Sequence, residues 1–153
     1  MDIPSHAPPD YRCPFCGIVV GEERPDIATT QSEVLARTDL VTAFVASHQW
    51  PNNAGDVLIV PNEHIENLYA LPGELAVPLH EMTRRIALAL KTAFECTGTS
   101  TRQHNEPHGG QDVWHYHVHV FPRYANDGLY GSMRTKVPID KRLAQAKAIR
   151  RCL

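Results

Sequence analysis

The stretch His115–Arg123, HYHVHVFPR, constrains this chain more than any other. Histidine alternates there with tyrosine and valine, and successive side chains of an extended strand point to opposite faces. His115, His117 and His119 therefore share one face, while Tyr116, Val118 and Val120 turn toward a core. Ordinary binary patterning would place Lys, Glu, Thr or Arg on a water-facing side, so three histidines need another cause. A single metal ion is not that cause for all three. At the rise of a strand the outer two positions lie about 13 Å apart, too far for one tetrahedral site. The middle histidine is left free for other work.

The preceding segment, HGGQDVW, places Gly109, Gly110 and Gln111 on a turn feeding that strand. Glycines let backbone approach an anion closely, and an uncharged amide can donate to it. Beside co-facing imidazoles the loop reads as a phosphate cradle facing a nucleophile or general acid. The other elements follow from patterning. SEVLARTD, VTAFVAS, DVLIVP and TSTRQHN read as strands, with a turn at Thr38–Asp39. Leu75, Leu79, Met82, Ile86, Leu90 and Phe94 form an apolar stripe at three- and four-residue steps, predicting a helix over 72–95 with Pro78 inside its beginning. A last helix is expected over Ile139–Arg150. Strands, a long helix, further strands and a final helix amount to an α+β domain, an antiparallel sheet with helices on one face.

Length and charge bound the function. The chain has 153 residues, enough for one domain with a core. With 15 basic and 17 acidic residues, it lacks the concentrated positive face that a nucleic-acid polymer requires, though a single nucleotide in a pocket is compatible. No run approaches the roughly 18 apolar residues of a membrane span. The opening MDIPSHAPPDYR lacks the basic start and apolar run of a signal peptide, so the cytoplasm is the expected location and residues 1–10 the expected flexible leader. In a reducing compartment Cys13 and Cys16, with two residues between them, read as a metal site or redox pair. Cys96, near the end of the helix, reads as a small buried residue and Cys152 as incidental.

Taken together, NEPHGGQDVWHYHVHVFPR resembles the histidine-triad (HIT) family, whose hallmark is His-x-His-x-His followed by two apolar residues. GDVLIVPNEHIENL resembles the family's strand and turn, and CPFC the opening motif of its zinc-bearing branch. The resemblance runs from about Tyr11 to Arg123. It implies a HIT-like domain over 11–125, with about five antiparallel strands, a catalytic strand over 113–121 and a long helix on one face. A C-terminal extension then spans 126–153. It also implies a nucleotide hydrolase acting at the α-phosphate of a purine nucleotide derivative, a dinucleoside polyphosphate or a nucleoside phosphoramidate. The alternatives are a nucleotidyl transferase or phosphorylase, or a nucleotide-binding regulatory protein.

By the same resemblance His117 is the nucleophile, its second ring nitrogen held by a backbone carbonyl. His119 binds phosphate and assists the leaving group, and Gln111 donates near the α-phosphate. Asn105 and Gly110 organise the phosphate loop, His48 falls near the ribose-binding position, and Trp50 is a candidate for packing against the base. Cys13, Cys16, His64 and His115 form a structural zinc site, and a homodimer is the expected assembly. Asp56 stands where the family frequently has histidine, and Asp112 where it often has serine or threonine. Tyr130 and Met133, in NDGLYGSM, are candidates to cover the chain's own pocket or a partner's.

Overall fold

A computed structural model describes residues 3–153. Its elements in chain order are α1 (Pro14–Val20), β1 (Val34–Arg37), β2 (Val41–Val45), β3 (His48–Gln49), β4 (Val57–Pro61), α2 (Ala76–Phe94), β5 (Gly98–Gln103), β6 (Val118–Arg123), β7 (Thr135–Lys136) and α3 (Ile139–Arg150). Five strands make one sheet in the order β1-β2-β4-β6-β5, and every neighbouring pair is antiparallel. This is the α+β arrangement expected from the sequence.

The two faces of the sheet are filled by the two halves of each alternating strand. Val41, Ala43 and Val45 of β2, Val57 and Ile59 of β4, and Val120 of β6 pack on Leu79, Met82, Ile86, Ala89 and Leu90 of α2. The opposite set, Phe44, Leu58 and Val60, packs on Phe15 and Ile18 of α1. His119 belongs to this second face, since Val118 and Val120 on either side of it pack on the α2 side. Pro78 is the third residue of α2, inside the first turn, where backbone N–H groups have no intrahelical acceptor, so it costs no hydrogen bond.

Three expectations change. The sequence placed the catalytic strand at 113–121, but β6 begins at Val118. Before it the chain leaves the sheet: the His115 amide donates to Val113 at 2.8 Å and the Tyr116 amide to Ile65 at 2.6 Å. Segment 126–153 is not an appendage, because Ala146 and Ile149 of α3 sit fully buried in the α2 core. Arg142 of α3 also meets Glu33 at 2.8 Å in a buried ion pair. Of the expected flexible leader, residues 1–2 lie outside the described residues. Within the remainder His6 is tied down: its amide donates to Glu66 at 2.8 Å, and its ring stacks on Trp114.

Three short elements were not anticipated. CPFCGIVV forms a helix, α1, because Pro14 suits the first helical position, the Cys13 sulfur accepts from the Cys16 amide, and Gly21 closes the end in a left-handed conformation. β3 pairs with β7, His48 opposite Lys136 and Gln49 opposite Thr135. That pairing carries residues 133–134 back over the histidines. Among the described residues, no helix is long and apolar enough to cross a membrane.

Candidate active site and metal centre

The turned-aside segment before β6 gives each histidine a different task. His115 is fully buried. Its Nε2–H donates to the Pro61 carbonyl at 2.9 Å, which leaves Nδ1 as a lone-pair donor. That nitrogen lies 3.3 Å from the Cys13 sulfur and 3.5 Å from the Cys16 sulfur, and His64 Nδ1 lies 3.2 Å from Cys16. All four ligand atoms fall within 4.8 Å of one another, so Cys13, Cys16, His64 and His115 could hold a metal ion. The capping sulfur of α1 is one of the four, so the same turn builds the helix and the centre.

His117 directs Nδ1–H to the His115 carbonyl at 2.7 Å, the backbone orientation expected from the sequence. Nε2 is thereby the nitrogen with a free lone pair. Burial, and next the neighbouring His119 ring, push the His117 imidazole down to about 4, so the ring is neutral at neutral pH. Phe15 of α1 packs edge-on against it, with centroids 5.3 Å apart.

His119 is held at both nitrogens. Nδ1 lies 2.9 Å from the carboxylate of Asp56, which is fully buried at the start of β4, and Nε2 lies 3.3 Å from Nη1 of Arg134. Arg134 Nη2 also donates to Asp112 at 3.0 Å, and Asp112 lies 3.8 Å from His117 Nε2. A cleft of about 480 Å³ opens here, lined by His117, His119, Asp112, Arg134, His48 and Met133, and by apolar Phe15, Ile18, Ala46 and Leu58. A larger groove, about 620 Å³, lies against α2 beside Leu40, Met82 and Leu88. It contains no histidine, so the smaller cleft is the chemical one.

Other sequence candidates land elsewhere. Gln111 is buried with its amide spent internally: Oε1 accepts from the Glu106 amide at 2.9 Å, and Nε2 donates to the carbonyls of Glu66 and Val113. It fastens the loop and does not line the cleft. Asn105 Oδ1 accepts from the Leu68 amide at 2.8 Å, a loop tie as well. Gly110 adopts a φ of 88°, where a side chain would be strained and would press on His104. Trp50 is buried beneath His119 and packs on Phe121 at 4.6 Å. It carries Arg102 and Arg134 near its ring, at 4.9 and 5.5 Å from the centroid, rather than presenting itself to the cleft. His48 does line the cleft, with Nδ1 3.0 Å from the Ser47 hydroxyl. Of NDGLYGSM, Met133 lines the cleft, while the exposed Tyr130 lies between Arg102 and Arg123.

Sequence reasoning missed Arg134. A lone arginine in an exposed loop, fifteen positions after His119, carries no signal; only the β3–β7 pairing brings it to the site.

Comparison with known proteins agrees with this geometry. The HIT domain family matches residues 28–126. "Protein hit" of Bacillus subtilis (strain 168) is 32% identical over 121 residues, covering 79% of this chain and 77% of that protein. The bis(5′-nucleosyl)-tetraphosphatase (asymmetrical) of Schizosaccharomyces pombe is 29% identical over 96 residues, 63% of this chain and 52% of its own length. The crystal structure of a Zn-bound histidine triad family protein from Mycobacterium smegmatis superposes with a TM-score of 0.75 at 23% identity, covering 92% of this chain and 91% of that one. Two features built from the residues up, the HxHxH run and its five-stranded sheet, thus meet in one conclusion: the chain belongs to the histidine-triad (HIT) family.

Proposed function

We propose that this protein is a nucleotidyl hydrolase that cleaves at the α-phosphate of a purine nucleotide derivative, a dinucleoside polyphosphate or a nucleoside phosphoramidate, through a covalent nucleotidyl-His117. One observation carries the reading: a buried, neutral imidazole whose Nδ1 is locked on the His115 carbonyl and whose Nε2 belongs to the cleft. Neutral imidazole is a competent nucleophile near neutral pH without further activation. A cavity of about 480 Å³ with an apolar wall of Phe15, Ile18, Ala46 and Leu58 and a polar side of His48, Asp112, His117, His119 and Arg134 suits a mononucleotide unit.

In the first step the Nε2 lone pair forms an N–P bond, and the α-phosphorus bond to the leaving group breaks, its electron pair departing with that group. Positive charge on the imidazole is stabilised by the Nδ1–H bond to the carbonyl. Water then attacks phosphorus, the N–P bond returns its pair to Nε2, and a proton is released to solvent. His119, positioned by Asp56, would hold developing charge on phosphoryl oxygens in its protonated form, with Nε2 turned from Arg134 to the substrate. The S. pombe relative's name, a tetraphosphatase, is consistent with this class of substrate.

The cysteine–histidine centre suits structural zinc. A tetrahedron built from Zn–S of 2.3 Å and Zn–N near 2.0 Å has ligand–ligand edges of about 3.3–3.8 Å. The sulfur–nitrogen distances of 3.2–3.5 Å lie at or slightly below the sulfur–nitrogen edge of about 3.5 Å that these bond lengths give, and the Pro61 carbonyl supplies the customary orienting bond to His115. Bound there, the ion would link the start of α1 to the segment carrying His117, a closed role without a share in bond breaking. A homodimer fits the same reading, since β5 pairs on one edge only and α2 exposes Val77 and Leu88.

The test is His117→Ala. Turnover should vanish while nucleotide affinity stays within about tenfold, or about 1.4 kcal/mol. Retained turnover in that variant overturns the proposal.

A further inference from the structure

Besides Asp26, which is paired with Arg24, the cleft holds two charged side chains that the covalent step does not use. Arg134 reaches His119 Nε2 through Nη1 at 3.3 Å and Asp112 through Nη2 at 3.0 Å. Both partners flank His117: Asp112 lies 3.8 Å from its Nε2, and the His119 ring centroid 5.3 Å from its own. The guanidinium is thus poised beside the bond that would break, seated near the Trp50 ring by a cation–π contact. Arg102, also on Trp50, adds a second cation to this side.

We infer that Arg134 is the leaving-group subsite, a receptor for the phosphate next to the α-phosphate, and that Asp112 holds it ready when no substrate is bound. This rests on the nucleotidyl-His117 reading and narrows it to substrates whose leaving group is a phosphate. The chemistry discriminates. When His117 attacks, a polyphosphate leaves with the electron pair on oxygen and needs only positive charge, which a guanidinium supplies. An amine leaving group must take up a proton, and arginine cannot give one. The ion pair with Asp112 keeps the cation oriented, and Asp112 is more than half exposed, so an arriving phosphate can replace it as the acceptor.

Two measurements test this. The first compares binding of AMP and α,β-methylene-ADP by calorimetry. Wild type should bind the diphosphate analogue about tenfold or more tightly than AMP, the scale of a charge-assisted contact. Arg134→Gln should erase that increment, Arg134→Lys should keep part of it, and Asp112→Asn should enlarge it. An increment unchanged in Arg134→Gln overturns the subsite. The second takes the ratio of kcat/KM on diadenosine tetraphosphate to that on adenosine 5′-phosphoramidate. In Arg134→Gln the ratio should fall by about tenfold or more; equal loss on both substrates contradicts the inference. Failure of the underlying reading looks different. A wild type with the binding increment but no adenylylated His117 sinks the hydrolase and leaves the phosphate subsite standing.

Discussion

Asp56→Asn isolates the buried carboxylate behind His119. Asp56 Oδ2 lies 2.9 Å from Nδ1, and the residue is fully buried. The amide keeps the shape and an acceptor and removes the charge. A hydrogen bond to a charged group contributes about 1.5–3 kcal/mol and a neutral one about 0.5–1.5. The variant therefore loses about 1–2 kcal/mol wherever His119 carries positive charge, which is about 5- to 30-fold in rate. Stability should move the other way or not at all, because Asp56 Oδ1 has no hydrogen-bond partner among the described residues and a neutral group is cheaper to bury. The assay pairs kcat/KM on diadenosine tetraphosphate with a thermal melt. A rate within twofold of wild type, or a rate lost in step with the melting temperature, would refute the argument.

Further outcomes follow from the same geometry. The protein purified with zinc should hold about one ion per chain by elemental analysis, and Cys16→Ser or a strong chelator should remove it and lower the melting temperature; an unchanged melt without metal contradicts the structural role. Glu33→Ala strands the buried Arg142 guanidinium and should cost about 3–5 kcal/mol in urea unfolding, whereas a Glu33→Leu, Arg142→Met pair should recover most of it. A cost below about 1 kcal/mol would mean α3 is not clamped there. Arg123, then Asn53 and the Tyr124 and Leu129 amides, hold the Asp127 carboxyl well below the usual carboxylate range. The native state then binds fewer protons than the unfolded one in acid, so this stability is present above about pH 4 and is lost as pH falls through the folded value. Asp127→Asn should flatten the acid limb of a stability–pH profile, and an unaltered limb would exclude Asp127 as its source.

Much of the fold was legible because it rests on periodicity. The α2 stripe and the β2 and β4 runs follow from apolar spacing, which the core enforces, whereas α3 buries Arg142 and Gln145 beside Ala146 and Ile149 and leaves Ile139 and Leu143 exposed. The early part of HYHVHVFPR was not legible as strand or loop. Alternation alone cannot show that His115 is drawn out of the sheet toward two cysteines about a hundred residues away. Gln111 was read as a phosphate donor from its residue type, yet it lies between three backbone groups that only the folded loop assembles. Trp50 was read as a base platform, and the structure gives its ring to arginines. Asp56 stood out in sequence as a departure, but its partner became visible only with β4 and β6 in register, Leu58 opposite His119.

A nucleotide carried on His117 would be seen by intact-protein mass spectrometry after brief mixing with diadenosine tetraphosphate and a denaturing alkaline quench, which preserves the acid-labile N–P bond. Wild type should gain the mass of one adenylyl group, mapped to His117 and absent from His117→Ala. Rapid turnover with no such adduct at any mixing time, or an adduct that persists in His117→Ala, would contradict the nucleotidyl-His117 reading.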